Sequence, residues 1–157
     1  MWKGKTMKKY KTSEDTTNNI VNEAAVAYGI AENNNIFSLI NTIKHGIKFP
    51  AFKTIVERSP FSIGEWSNFL HLSERTMQRY SKENKAFDPI YSEKILEITM
   101  LNNYGKEVFG DEENYNTWLQ TKNIALGGIT PKALMDSTFG IKLIKDELTR
   151  IEHGVLA

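Results

Sequence analysis

Residues 62–82 read SIGEWSNFLHLSERTMQRYSK, and two helix starts are written into them. Ser62 and Glu65 have the spacing of a capping box, in which the Ser side chain and the Glu side chain each satisfy the other residue's orphan backbone N–H. Phe61 and Trp66 stand at the two positions of a hydrophobic staple, which fixes the angle at which the chain enters. A helix is therefore predicted from Ile63 to about Leu70. His71-Leu72 follows as a tight turn. Ser73 is a second N-cap, Glu74 suits the positive first turn, and Leu72 with Met77 repeats the staple. That helix is predicted to run to about Lys82. Two short helices joined by about three residues are the outline of a helix-turn-helix.

Outward from this pair the pattern stays helical. Ile36, Phe37, Leu39, Ile40 and Ile43 make an amphipathic helix, with Gly46 where a helix C′ residue belongs. Phe52, Ile55 and Val56 mark a short helix from about Pro50 to Arg58. Asp88 is placed to cap a long helix with Pro89 at its first position, and Tyr91, Ile95, Ile98, Leu101, Tyr104 and Val108 follow at steps of three and four until Gly110. Asp111-Glu112-Glu113 opens another helix carrying Tyr115, Trp118 and Leu119. Residues 123–129 read as a loop. Thr130-Pro131 is predicted to restart a helix with a staple pair, Ile129 and Leu134. A last helix covers about 138–152, with Phe139, Ile141, Leu143, Ile144, Leu148 and Ile151, and Gly154 stops it. No strand pattern of five or more residues alternates, so the predicted class is all-α. Residues 16–32 suggest a further short helix around Val21, Ala24, Ala25 and Tyr28, behind a Lys-rich tail.

The chain has 157 residues, 40% of them hydrophobic and 25% charged, which is ordinary for a globular protein of one domain or two small ones. No apolar run approaches the ~20 residues needed to cross a bilayer, and no apolar core follows the N-terminal lysines, so neither a membrane span nor a secretory signal is expected. The absence of cysteine removes disulfides and thiolate chemistry and fits a cytoplasmic protein. The net charge of +1 divides unevenly: residues 1–87 carry +5 and residues 88–157 carry −4. A basic half and an acidic half suit a polyanion and a basic protein surface respectively, although chance and a Lys-rich tail produce the same arithmetic.

Little points to catalysis. His45, His71 and His153 lie far apart and lack ligand spacing, so no metal site is expected. Glu112 and Glu113 favour a helix N-terminus and need no catalytic role. Gly127-Gly128 has no Lys-Ser/Thr behind it and is not a phosphate loop. Neither a catalytic residue nor a cofactor is assigned, and an enzyme is not expected.

The second helix of a helix-turn-helix can lie in the major groove of DNA. Its solvent face here presents Ser73, Glu74, Arg75, Thr76, Gln78, Arg79 and Lys82, while Met77 and Tyr80 turn inward. Arg is suited to guanine, Gln to adenine, and Thr to a thymine methyl or a phosphate. The tail lysines Lys3, Lys5, Lys8, Lys9 and Lys11 would either follow the phosphates or stay solvated. The same geometry also serves as plain scaffold in proteins that never touch DNA.

The string WSNFLHLSERTMQRY, residues 66–80, resembles the helix-turn-helix of Xre-type repressors. Trp66, Leu70, Leu72, Met77 and Tyr80 take that family's apolar places, and Ser67 its small-residue place. His71 departs from the glycine common there. Further on, FGDEENYNTWL, ALGGITP, LMDSTFG and RIEHGVLA are similar, in order and at ordinary spacing, to the toxin-binding domain of Xre/ParS-type antitoxins. Ile129 stands where that family commonly has arginine, and Leu156 where an aromatic is frequent.

The resemblance implies a two-part protein. Residues 1–35 would be a tail with a possible short helix, 36–87 the helix-turn-helix domain, and 88–157 a long connecting helix and a toxin-binding domain. The first part would bind operator DNA in its own promoter. The second would neutralise a RES-domain toxin that consumes NAD, with the antitoxin's end at the toxin's active-site mouth. On this chain the toxin contacts implied are Trp118, Gly127, Gly128, Thr130, Pro131, Arg150, Glu152, Gly154, Val155, Leu156 and Ala157, the last few forming a flexible apolar tail. A homodimer is expected from the spacing of DNA half-sites, with the apolar side of helix 88–109 as candidate seam. The alternatives are a stand-alone regulator with a helical dimerisation or ligand domain, and a protein-interaction module.

Overall fold

The computed structural model describes residues 36–155. The Lys-rich tail, the expected helix around Val21 and the terminal Leu156-Ala157 lie outside the described residues. Among the described residues seven α-helices follow in order: α1 Ile36–His45, α2 Phe49–Arg58, α3 Ile63–Phe69, α4 Glu74–Glu83, α5 Pro89–Phe109, α6 Glu112–Gln120 and α7 Thr138–Glu152. Two 3-10 turns, Ile124–Leu126 and Pro131–Leu134, lie between α6 and α7. The class is all-α, as the periodicity predicts.

The caps fall where the sequence places them. Ser62 Oγ accepts from Glu65 N at 3.2 Å while Glu65 Oε2 accepts from Ser62 N at 2.8 Å, which completes the capping box of α3. Ser73 Oγ accepts from Thr76 N at 3.1 Å and starts α4. Asp111 Oδ1 does the same for Asn114 N at 2.7 Å and starts α6. Asp88 stands at the N-cap of α5, but its side chain makes no cap bond, so Pro89 and the packing of the helix define that start.

One expected helix does not form. Thr130-Pro131 opens only the 3-10 turn Pro131–Leu134, and the Thr130 side chain makes no cap bond. The chain is then needed elsewhere. Ser137 caps α7 through Gly140 N at 3.0 Å, and a Cβ on Gly140 would overlap the Leu134 carbonyl, so the turn and α7 meet too closely for a second full helix.

The core is one cluster. Phe52, Trp66, Phe87, Ile95, Ile98, Tyr115, Leu119, Met135, Ile144 and Leu148 are all within 1% of full burial. Around α2 to α4 it is aromatic: Phe52 meets Trp66 edge-on at 5.5 Å and Phe87 at 4.9 Å, and Tyr80 stacks on Phe87 at 4.7 Å. Such pairs contribute about 0.5–1.5 kcal/mol each beyond their buried area.

Helix α5 runs through the middle, packed against α1, α6 and α7, and buries Ile95, Leu96, Ile98, Leu101 and Gly105. The apolar side expected as a dimer seam is therefore taken up by the core of a single chain. An extended pairing ties the α1–α2 link to the α4–α5 link, with Phe49 N donating to Lys85 O and Phe87 N to Ile47 O. Gly46 permits it: its φ is +80°, and a Cβ there would overlap the Phe87 carbonyl.

Candidate functional site

Helix α4 is held from behind. Met77 and Tyr80 are buried, and Ser67 Oγ donates to the Leu72 carbonyl inside the turn. His71 takes the left-handed conformation expected of that position, with φ +53°. Glu74, Arg75, Gln78, Arg79 and Lys82 all stand exposed on the outer face. Thr76 is half-buried, with its hydroxyl 2.9 Å from Ser73 Oγ, and Ser73 is exposed but engaged as the cap. Lys85 lies 5.0 Å from the centroid of the Tyr80 ring and adds a further positive charge at the end of α4. The structure thus brings the seven expected residues onto one helix, with the long polar side chains pointing away from the protein.

The opposite end is built around Asn123. Its side-chain oxygen accepts from Ala125 N at 2.8 Å, its carbonyl from Gly128 N at 2.8 Å, and its N–H donates to Ile129 O at 3.1 Å. The chain closes through Gly127 and Gly128, with φ +76° and +75°. No atom lies within 4 Å of a Cβ at either glycine, so backbone conformation and not close approach requires them. Leu126 anchors this turn in the core and leaves Ile124, 95% exposed, on the outside.

The turn packs against α7. At 100° per residue, Ile141, Ile144 and Leu148 form the buried side of that helix, and Phe139, Leu143 and Arg150 fall on the outer side. Phe139 is 84% exposed and Leu143 51%. These two and Ile124 are absent from the site expected from sequence. The signal was available: α7 carries more apolar residues than one stripe can bury.

The other expected contact residues are scattered in role. Trp118 is half-buried, packed on Phe109 at 5.5 Å and Tyr115 at 6.2 Å. Pro131 is buried and Thr130 half-buried. Arg150 is exposed and pairs with Glu147 at 3.5 Å. Glu152 turns the other way, toward α5, where it accepts from the Tyr104 hydroxyl at 2.6 Å. Burial, aided by the Glu152 charge, raises the Tyr104 pKa above its ordinary value. Gly154 and Val155 are exposed but are not a loose tail as far as described. Gly154, with φ +66°, donates to Ile151 O at 3.0 Å, and Val155 N donates to Arg150 O at 2.9 Å, which is a Schellman cap.

The two ends are joined twice at their surface. Lys132 Nζ lies 2.8 Å from Glu65 Oε1, and His71 Nε2 donates to the Asp136 carbonyl at 2.7 Å. Burial works to raise the Glu65 pKa, but Lys132 and the Ser62 N–H and hydroxyl outweigh it, and the carboxyl is held below its ordinary value. Among the described residues, no group of His, Asp or Glu is arranged to hold a metal ion, and no helix is long and apolar enough to cross a membrane.

Comparison with known proteins agrees with this division. Residues 38–99 match the antitoxin Xre-like helix-turn-helix domain, and residues 105–154 match the antitoxin Xre/MbcA/ParS C-terminal toxin-binding domain. Antitoxin Xre of Yersinia enterocolitica is 25% identical over 120 residues, covering 76% of this chain and 81% of the relative. Antitoxin Xre of Photorhabdus laumondii is 24% identical over 109 residues, covering 66% and 74%. With both domains matched in succession on a fold that supports each, the chain belongs to the Xre-type antitoxin family, whose role is regulatory and not enzymatic.

Proposed function

We propose that this antitoxin neutralises a RES-type, NAD-consuming toxin in the cytoplasm by covering it with the outer face of its C-terminal unit, and represses its own promoter through α4. The observation that carries this reading is the succession of a DNA-reading domain and a toxin-binding domain in one chain. In the DNA-bound state Arg75, Gln78 and Arg79 read base edges, while Ser73, Thr76 and Lys82 hold phosphates and Glu74 sits near the start of the helix. Two copies pair so that their α4 helices enter the groove one DNA turn apart, about 34 Å. The toxin face comprises the Gly127–Gly128 turn with Ile124, the Thr130-Pro131 step, Phe139, Leu143 and Arg150 on α7, and the segment from Gly154 onward. Trp118 supports it from below. Exposed apolar groups rimmed by charge are what a protein partner desolvates.

The test is co-expression with the neighbouring reading frame. Growth arrest and NAD loss are expected when the neighbour is expressed alone and are relieved by this chain. A neighbour that is harmless, or that stays toxic beside this chain, removes the proposal.

A further inference from the structure

The family assignment accounts for the two faces but not for the contacts that bind them together. Lys132 and Asp136 belong to the C-terminal unit and lie just beyond the Thr130-Pro131 step. Their partners are both control points of the helix-turn-helix. Glu65 completes the capping box that starts α3, and it accepts from Lys132 Nζ at 2.8 Å. His71 is the turn residue itself, held at φ +53°, and its imidazole donates to Asp136 O at 2.7 Å. Glycine would take that φ without strain but has no side chain to reach Asp136. Ser73, two residues beyond, caps α4. The route from the toxin-facing segment to the N-terminus of the reading helix is therefore short and made of direct bonds.

We propose that residues 132–136 form a clasp that couples the two faces, so that toxin bound at one end raises the affinity of α4 for operator DNA at the other. The inference rests on the functional reading above. The 3-10 turn Pro131–Leu134 packs on both α6 and α7, and a partner seated on the glycine turn and α7 restrains it. Restraint there holds Lys132 and Asp136 on Glu65 and His71, and it removes freedom that α4 would otherwise lose on entering the groove. Coupling is reciprocal: operator DNA tightens toxin binding by the same factor.

The experiment compares wild type with the double variant His71→Gly, Lys132→Met. Glycine keeps the turn, and methionine keeps most of the lysine stem, so both substitutions cut the clasp without breaking a cap. Binding of a labelled duplex from the gene's upstream region is titrated at one salt concentration, with and without saturating toxin from the neighbouring frame. For wild type the toxin is expected to tighten DNA binding by about fivefold or more. In the variant the ratio falls to near one, while binding to DNA alone and to toxin alone each stays within about threefold. A wild-type ratio near one, or an unchanged ratio in the variant, overturns the clasp. Wild type that binds neither the duplex nor the toxin overturns the functional reading, and the clasp with it.

Discussion

The Tyr115 ring fills the space in which a Cβ on Gly105 would stand, so α5 and α6 meet ring against backbone. Tyr115 is fully buried there, and its hydroxyl donates to Asn102 Oδ1 at 2.9 Å. Burial at this helix junction raises the Tyr115 pKa far above its ordinary value, so the hydroxyl remains a donor. The same ring packs against Trp118 and Phe109. Gly105→Ala is expected to destabilise the protein by about 1–3 kcal/mol, since the overlap cannot be relieved without moving a core ring. Gly64→Ala is the control: its Cβ would meet only Ser62 Oγ, at an ordinary 3.8 Å, and the change should be neutral or stabilising by up to about 1 kcal/mol. Urea denaturation of both variants measures this, and equal midpoints would contradict the packing.

Glu65 links stability to acid. Its folded-state pKa lies below the ordinary carboxyl value, so its contribution is complete above the unfolded-state pKa and fades as pH falls through the folded value. Glu65→Gln keeps a capping-box residue but removes the charge facing Lys132. With both side chains about a third exposed, the loss at pH 7 should be under about 1 kcal/mol. The gap between wild type and variant should close between pH 5 and pH 3, roughly the range in which the carboxylate titrates. Denaturation midpoints at pH 7, 5 and 3 check the sign. A gap that widens in acid would show that Lys132 does not stabilise the carboxylate.

What the sequence made legible was local. The caps of α3, α4 and α6 are bonds between residues three apart, so Ser62, Ser73 and Asp111 declare themselves to a reader of the string. His71 also announces its left-handed turn, because the two helices flanking it leave no other path. The clasp is illegible for the opposite reason: Glu65 and Lys132 are 67 residues apart, His71 and Asp136 are 65 apart, and no local pattern requires either pair. The helix expected at Thr130 fails from this same cause, since the close packing of Gly140 on Leu134 overrides a local start signal. Phe139 and Leu143 read as part of the apolar pattern of α7, because periodicity finds apolar residues without saying how wide a stripe the neighbouring helices can cover.

Arg75 and Arg79 are one turn apart on the exposed face of α4, a spacing that aims both at the same stretch of groove. Replacing both with Ala should weaken binding to the upstream duplex by about 1–3 kcal/mol for each bidentate hydrogen-bonded pair with a base that is removed. Lys82→Ala should instead weaken binding to all sequences alike and reduce the salt slope by about one unit. Gel-shift titrations against the upstream duplex and a scrambled duplex, at two salt concentrations, separate these effects. Unchanged specific binding by the Arg pair variant would show that α4 does not read bases.

Phe139 and Leu143 have little to do within this chain and much to offer a partner. They lie one turn apart on the outer side of α7, with 84% and 51% of their surfaces exposed. Changing both to Ser removes little from the core, so the melting transition should stay nearly in place. On the toxin side, removing two apolar anchors from the middle of a desolvated face should cost about 2 kcal/mol or more. Rescue of toxin-poisoned cells should therefore fail while operator binding by the antitoxin alone persists. Deleting residues 154–157 should also reduce rescue, with a small loss of stability because the Schellman bonds of Gly154 and Val155 go with it. If the Phe139–Leu143 variant rescues fully and the deletion does not, the toxin seats on the chain end and not on α7. If both rescue fully, the proposed toxin face is wrong.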